Sequence, residues 1–371
     1  MDQIPLVDLA IQHSQIADEV NEGFQRVMAE GSYVLGPEVA AFEREFAEFC
    51  GVAHCVGVAN GTDALEIALR AAGVGSGDEV VLPANTFIAT AGAVARTGAR
   101  PVLVDCDPEY QLIDADAVES CVSPRTRAIM PVHLFGQVAP MTRLHGIAAR
   151  HGLALIEDAA QAQGAEQEGR RAGGFGAVAG TSFYPGKNLG AYGDAGAVLT
   201  NDDELARRSR AIRNHGSEVR YQHPALGFNS RLDSLQAVVL RAKLRRLDAW
   251  NQERRDAADR YTKMLSEVPG VRPPATAANN QHVWHLYVVR VANRDDVLNR
   301  LQQVGIGAGI HYPVPVHLQG AFADLGHGVG DFPNAEAAAR EILSLPLYPG
   351  ITSAQQEQVV EALASAVGRA A

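Results

Sequence analysis

Short apolar runs alternate with amphipathic stretches along the first half of this chain. Residues 54–59 read as a strand and 62–72 as a helix; 79–83 with 86–97 repeats the pairing, as does 128–133 with 141–151. Further strand-like runs fall at 101–105 and 153–157. Strands that are each followed by a covering helix predict a mainly parallel sheet with both faces covered. The runs 179–184 and 195–200 have no helical pattern between them, so at least one antiparallel neighbour is expected. A long helical pattern over 232–265 leads out of this unit. Pro- and Ala-rich 269–280 then reads as a loop before a smaller α/β unit with a strand at 284–291 and helices at 294–304 and 335–343. There is no internal repeat.

Composition narrows the class without changing that picture. With 371 residues, 47% apolar and 20% charged, the chain can bury one large core and a smaller one, and disorder is excluded. A net charge of −11 argues against a general electrostatic grip on nucleic acid. Met1-Asp2-Gln3-Ile4-Pro5 lacks a basic region followed by an apolar run, and no stretch approaches membrane-span length, so a cytoplasmic location is expected. Cys50, Cys55, Cys106 and Cys121 show no C-x-x-C spacing and read as reduced structural thiols, not a metal site.

The chemistry concentrates on lysine, of which the chain has three. Lys243 and Lys263 lie in an Arg-rich helical pattern and are expected to face water. Lys187 instead closes Ser182-Phe183-Tyr184-Pro185-Gly186-Lys187, shortly after a strand-like run that ends in Asp158. Pyridoxal phosphate (PLP) chemistry needs this pair. A lysine amine forms a Schiff base with the cofactor aldehyde, and a carboxylate keeps the pyridine nitrogen protonated. The turn Ala59-Asn60-Gly61-Thr62-Asp63, between a strand and a helix, reads either as a phosphate cradle or as an ordinary cap made by Thr62. No G-x-G-x-x-G follows the first strand, and a P-loop at Gly180–Lys187 fails because Asn188 replaces Ser or Thr.

Several further motifs carry a likeness: Gly61-Thr62-Asp63-Ala64-Leu65, Glu157-Asp158-Ala159-Ala160-Gln161, Ser182 to Gly190, Gly193-Asp194-Ala195-Gly196-Ala197, Arg213-Asn214-His215-Gly216, Asn229-Ser230-Arg231 and His311-Tyr312-Pro313-Val314-Pro315. In this order they resemble the DegT/DnrJ/EryC1/StrS family of PLP-dependent sugar aminotransferases over nearly the whole chain. The resemblance implies the aspartate aminotransferase fold (fold type I): a large PLP-binding domain over 13–245 and a small C-terminal domain over 246–371, with an arm at 1–12 packing on the latter.

The same resemblance assigns roles. Lys187 carries the cofactor and moves the proton, Asp158 pairs with the pyridine nitrogen, Gln161 reaches the ring hydroxyl and Phe87 stacks on the ring. Gly61, Thr62 and Ser182 hold the phosphate, joined by Asn229 from a second subunit of a homodimer. A mobile basic loop with Arg213, His215, Arg220 and Tyr221 suits a nucleotide diphosphate, while Tyr184, His311, Tyr312 and His317 lie near the sugar.

L-Glutamate is the implied amino donor, with pyridoxamine phosphate as the intermediate cofactor form. Family members that dehydrate sugars carry histidine where this chain keeps Lys187. The run from Phe183 to Ala191 with Tyr312 to His317 is most similar to the branch acting on 3-keto sugars, including dTDP-3-keto-6-deoxyhexoses. C4 specificity and a UDP-linked substrate stay open. So do a non-catalytic regulatory homologue and a nucleotide-cofactor oxidoreductase on a similar sheet.

Overall fold

A computed structural model describes residues 3–370. Its main sheet has seven strands: β1 (His54–Val58), β2 (Glu79–Pro83), β3 (Arg100–Val104), β4 (Thr126–Ile129), β5 (Ala154–Asp158), β6 (Val178–Ser182) and β7 (Gly196–Thr200). Their spatial order is β1-β7-β6-β5-β4-β2-β3. Strand β7 runs antiparallel to both β1 and β6, and every other neighbouring pair is parallel. The antiparallel neighbour expected from the missing helix is therefore β7. The architecture is α/β, a mixed and mainly parallel sheet flanked by helices.

Alternate strand residues feed different cores, as a pleated strand requires. Val80, Leu82, Val178 and Val198 pack with Leu65 and Leu69 of the helix Gly61–Ala71. Their strand neighbours Ala179, Ala197 and Leu199 pack on the opposite face with Phe42, Phe46 and Phe183. The Phe183 ring meets Phe42 and Phe46 edge-on, with centroids 5.4 and 5.2 Å away. Burying such a ring contributes roughly 2–3 kcal/mol and fixes the start of the lysine segment.

A second sheet, β8 (Val271–Arg272), β9 (Tyr287–Val291) and β10 (Ile342–Leu345), is antiparallel in the order β8-β9-β10. Its core joins Tyr261, Val289, Leu343 and Tyr348 to Ile4, whose backbone bridges Ile306. Residues 1 and 2 of the predicted arm lie outside the described residues.

Besides β8, which lies inside the loop predicted over 269–280, and β4, which ends at Ile129 short of the predicted 133, four sequence expectations change. The helix predicted over 335–343 is Pro333–Glu341, and Ile342–Leu345 leaves it as a strand because pairing with β9 outweighs helical spacing. The strand predicted from 284 begins at Tyr287, since Trp284 has φ +48, outside the extended region. The pattern 232–265 is two helices, Ser234–Leu244 and Leu247–Leu265. The fourth is Lys243, which does not face water.

Lys243 is 2% exposed, and its Nζ lies 5.1 Å from the centre of the Tyr192 ring. Burial lowers its pKa from 10.5 to about 8. Between those values the unfolded chain holds the proton and the folded chain does not, so stability rises as pH climbs through that window. Lys243→Met is expected to stabilise the protein at pH 7 by about 2 kcal/mol and to flatten that rise, as read from urea midpoints. An unchanged midpoint at pH 7 would count against a desolvated amine.

Among the described residues no helix is long and apolar enough to cross a membrane. All four cysteines are free thiols, three of them buried.

Candidate active site

The site lies where the carboxyl ends of parallel strands open, the usual crevice of such sheets. Asp158 ends β5, Ser182 ends β6, Phe87 follows β2 and Gly61 follows β1. Gly196 of β7 pairs with both Val58 and Ser182, which aligns the β1 and β6 ends side by side. The approach is close enough to demand glycine. A Cβ on Gly61 would sit 2.5 Å from the Ser182 Cβ, and one on Gly196 would overlap the Asn60 carbonyl.

The helix that starts at Gly61 is capped by Asn60, whose Oδ1 accepts from Asp63 N–H at 2.8 Å. The cap by Thr62 is thus corrected. Gly61 and Thr62 occupy the first helical positions, where backbone N–H groups have no intrahelical acceptor. Those two amides and the adjoining Ser182 hydroxyl are donors that could hold an anion at the positive end of a helix.

Lys187 is held by its backbone. Its N–H donates to the Tyr184 carbonyl at 2.8 Å, and the buried Asn188 beside it donates to Asn251 and to the Val283 carbonyl, both at 2.9 Å. The half-buried Lys187 amine makes no hydrogen bond among the described residues, and burial lowers its pKa to about 8 while the Asp158 charge acts the other way. The lowered value enlarges the neutral, nucleophilic fraction of the amine to about a tenth at pH 7, against less than about a thousandth for an unperturbed lysine. Asp158 is 5% exposed. Burial raises its pKa, opposed by the Thr90 hydroxyl, the Ala160 amide and the charge of Lys187.

Gln161 is pinned at both ends of its amide. Its Oε1 accepts from Phe135 N–H at 2.6 Å, and its Nε2 donates to the Tyr312 hydroxyl at 2.9 Å. That leaves one N–H of the amide to donate elsewhere. The Phe87 ring, 48% exposed, lies 5.0 Å from the Tyr312 ring and offers an open face.

Thr90, Thr86 and the Phe135 backbone were not among the sequence candidates. Thr90 stands 68 positions from Asp158, so no local motif flags it. Glu157 was read only as part of a motif, but it fixes the strand end. It bonds His133 at 2.8 Å and the amides of Gly173, Phe175 and Gly176.

Other candidates lie elsewhere. Arg213 is no part of a loop. It ends the helix Asp203–Arg213, buried, with Nη1 2.5 Å from Glu43 and 2.7 Å from the Gly57 carbonyl. The placement of Arg213 among free diphosphate ligands is corrected, because its guanidinium is already paired. His317 is also corrected: it is buried against Phe332 and bonds Glu336 at 3.1 Å. His311 bonds the Ser344 hydroxyl at 2.8 Å, and burial lowers its pKa to about 4.

His215, Arg220 and Tyr221 are exposed, with Arg220 stacked over the Tyr221 ring at 4.8 Å. Asn229 is exposed too, its Oδ1 accepting from Arg231 at 3.0 Å. Tyr184 is 60% exposed beside the lysine loop.

This donor set fits PLP. An acceptor carboxylate suits a pyridinium N–H, the spare Gln161 N–H suits a phenolic oxygen, the open Phe87 face suits a flat ring, and the amide cradle suits a phosphate. When bound, the cofactor supplies an electron-accepting ring that stabilises the negative charge left when a proton departs.

The model of the DegT/DnrJ/EryC1/StrS aminotransferase family matches residues 14–364. The chain is 49% identical to the erythromycin biosynthesis sensory transduction protein EryC1 of Saccharopolyspora erythraea, over 97% of this chain and 98% of that one. It is 47% identical to the dTDP-3-amino-3,4,6-trideoxy-alpha-D-glucose transaminase of Streptomyces venezuelae, over 97% and 95%. The crystal structure of S. venezuelae DesV superposes with a TM-score of 0.96 at 46% identity, covering 98% of both chains. With the motif order, the sheet and these likenesses in agreement, the chain belongs to the DegT/DnrJ/EryC1/StrS family of PLP-dependent aminotransferases.

Proposed function

We propose that this aminotransferase moves nitrogen from L-glutamate to the C3 keto group of a nucleotide-linked sugar, a dTDP-3-keto-6-deoxyhexose in deoxyamino-sugar biosynthesis. The observation that carries the reading is a buried Asp158 carboxylate and a partly desolvated Lys187 amine that act on each other's charge, beside helix-start amides able to hold an anion. The 47% identity to a transaminase named for a 3-amino dTDP-sugar supports C3 and dTDP.

In this reading Lys187 Nζ would hold the cofactor by its aldehyde, and the same amine, once free, would be the acid/base that takes the proton from the donor α-carbon and in the second half supplies one to the sugar carbon. Asp158 holds the ring nitrogen protonated, and Gln161 donates to the ring hydroxyl. Gly61, Thr62 and Ser182 hold the phosphate, joined by Asn229 of a second copy. Asn229 in its own chain is exposed and turned to Arg231, which suits a role in a neighbour's site. The exposed His215, Arg220 and Tyr221 offer the nucleotide a cation and a ring. The chain divides functionally into 13–245 and 246–371, and it works in the cytoplasm as a homodimer.

The test is a panel of dTDP- and UDP-linked 3-keto and 4-keto sugars with L-glutamate. A preference in kcat/KM of about 10²-fold for the dTDP-linked 3-keto sugar is expected. Turnover of 4-keto sugars alone would overturn C3, and a preference for UDP would overturn dTDP. The sensory name of the EryC1 relative favours a second reading, a non-catalytic sensor; that reading predicts no turnover of any sugar.

A further inference from the structure

The Asp158 carboxylate has two protein donors. Oδ1 accepts from the Ala160 N–H at 3.1 Å, and Oδ2 accepts from the Thr90 hydroxyl at 2.7 Å. The Thr90 oxygen lies 2.7 Å from the Thr86 hydroxyl, and all three side chains are buried. Ionised, Asp158 can only accept, so the single Thr90 proton is committed to it. The Thr90 lone pairs are then left to receive the Thr86 proton. The two hydroxyls form a chain with one polarity, from Thr86 through Thr90 to the carboxylate. Such chains strengthen their last bond, and a bond to an ionised acceptor is the strong kind.

Asp158 needs that help because burial works against its charge, and no arginine bonds it among the described residues. The charged and titratable groups acting on it across the pocket are Lys187, His133 and the Tyr312 phenol. The same short segment also carries Phe87. Residues 86–90 therefore set both the ring platform and the donor to the carboxylate.

We propose that Thr90, oriented by Thr86, is a positioning residue that keeps Asp158 ionised and fixed, and so governs how firmly the cofactor's ring nitrogen holds its proton. This rests on the PLP reading above. Thr90→Val keeps the shape and removes the hydroxyl, Thr90→Ser keeps the hydroxyl, and Thr86→Val breaks the chain one step back. Each holoprotein is loaded with PLP labelled with nitrogen-15 in the ring, and the nitrogen resonance is followed against pH together with the cofactor dissociation constant.

In Thr90→Val the ring nitrogen is expected to lose its proton at lower pH than in the wild type, and cofactor affinity to fall about tenfold. Thr86→Val should shift both in the same direction by less, and Thr90→Ser should restore wild-type behaviour. A wild-type nitrogen titration in Thr90→Val overturns the proposal. If Thr90→Val does not fold, a wild-type titration in Thr86→Val overturns it instead. Failure of the wild type itself to take up PLP would sink the functional reading, a result distinct from any difference among variants.

Discussion

Lys187→Ala is expected to lower kcat by about 10⁴-fold or more and to leave a folded, colourless protein. The substitution removes only the amine. The loop is fixed by the backbone bond from Lys187 to Tyr184, by the buried Asn188 and by the packing of Phe183 and Leu189. Neither other lysine can substitute. Lys243 is buried beside Tyr192, and Lys263 is exposed on the helix Leu247–Leu265. Residual activity above about a tenth of wild type would place the proton transfer on another group. Thermal unfolding close to that of the wild type would show that the loss is chemical.

Asp158→Asn is the second large effect. The amide keeps the size of the side chain but cannot balance a protonated ring nitrogen, and kcat is expected to fall by about 10²–10³-fold. It also acts on the lysine. The Asp158 charge raises the Lys187 pKa against burial, so its loss should carry the amine below its present value of about 8. The rate at which apoprotein takes up PLP, followed against pH, should then reach its plateau at lower pH than in the wild type. A kcat within threefold of wild type, or an unmoved uptake profile, would remove Asp158 from its assigned role.

What the chain discloses before folding is what lies close in sequence. β1, β2 and β3 are legible because each run is apolar after its first residue and largely buried on both faces. Asp158 and Gln161 are legible because one short segment carries both, and Lys187 because few lysines compete. Thr90 is silent, since a threonine near a helix start has no chemistry until the fold brings it to Asp158. Arg213 misleads for the same reason: Glu43, its partner, is 170 positions away. Lys243 shows a limit of spacing, which marks a helix without telling how much of its circumference other helices cover. On Ser234–Leu244 most positions are buried, so a basic residue is buried with them. Ile342–Leu345 follows the helix Pro333–Glu341 with no Gly or Pro between them, and pairing with β9 makes it a strand.

The most direct test of Lys187 is chemical. Holoprotein is reduced with borohydride, digested and sequenced by mass spectrometry. A pyridoxyl mass on Lys187 alone is the expected result, and label on Lys243 or Lys263, or on no lysine at all, would contradict the assignment.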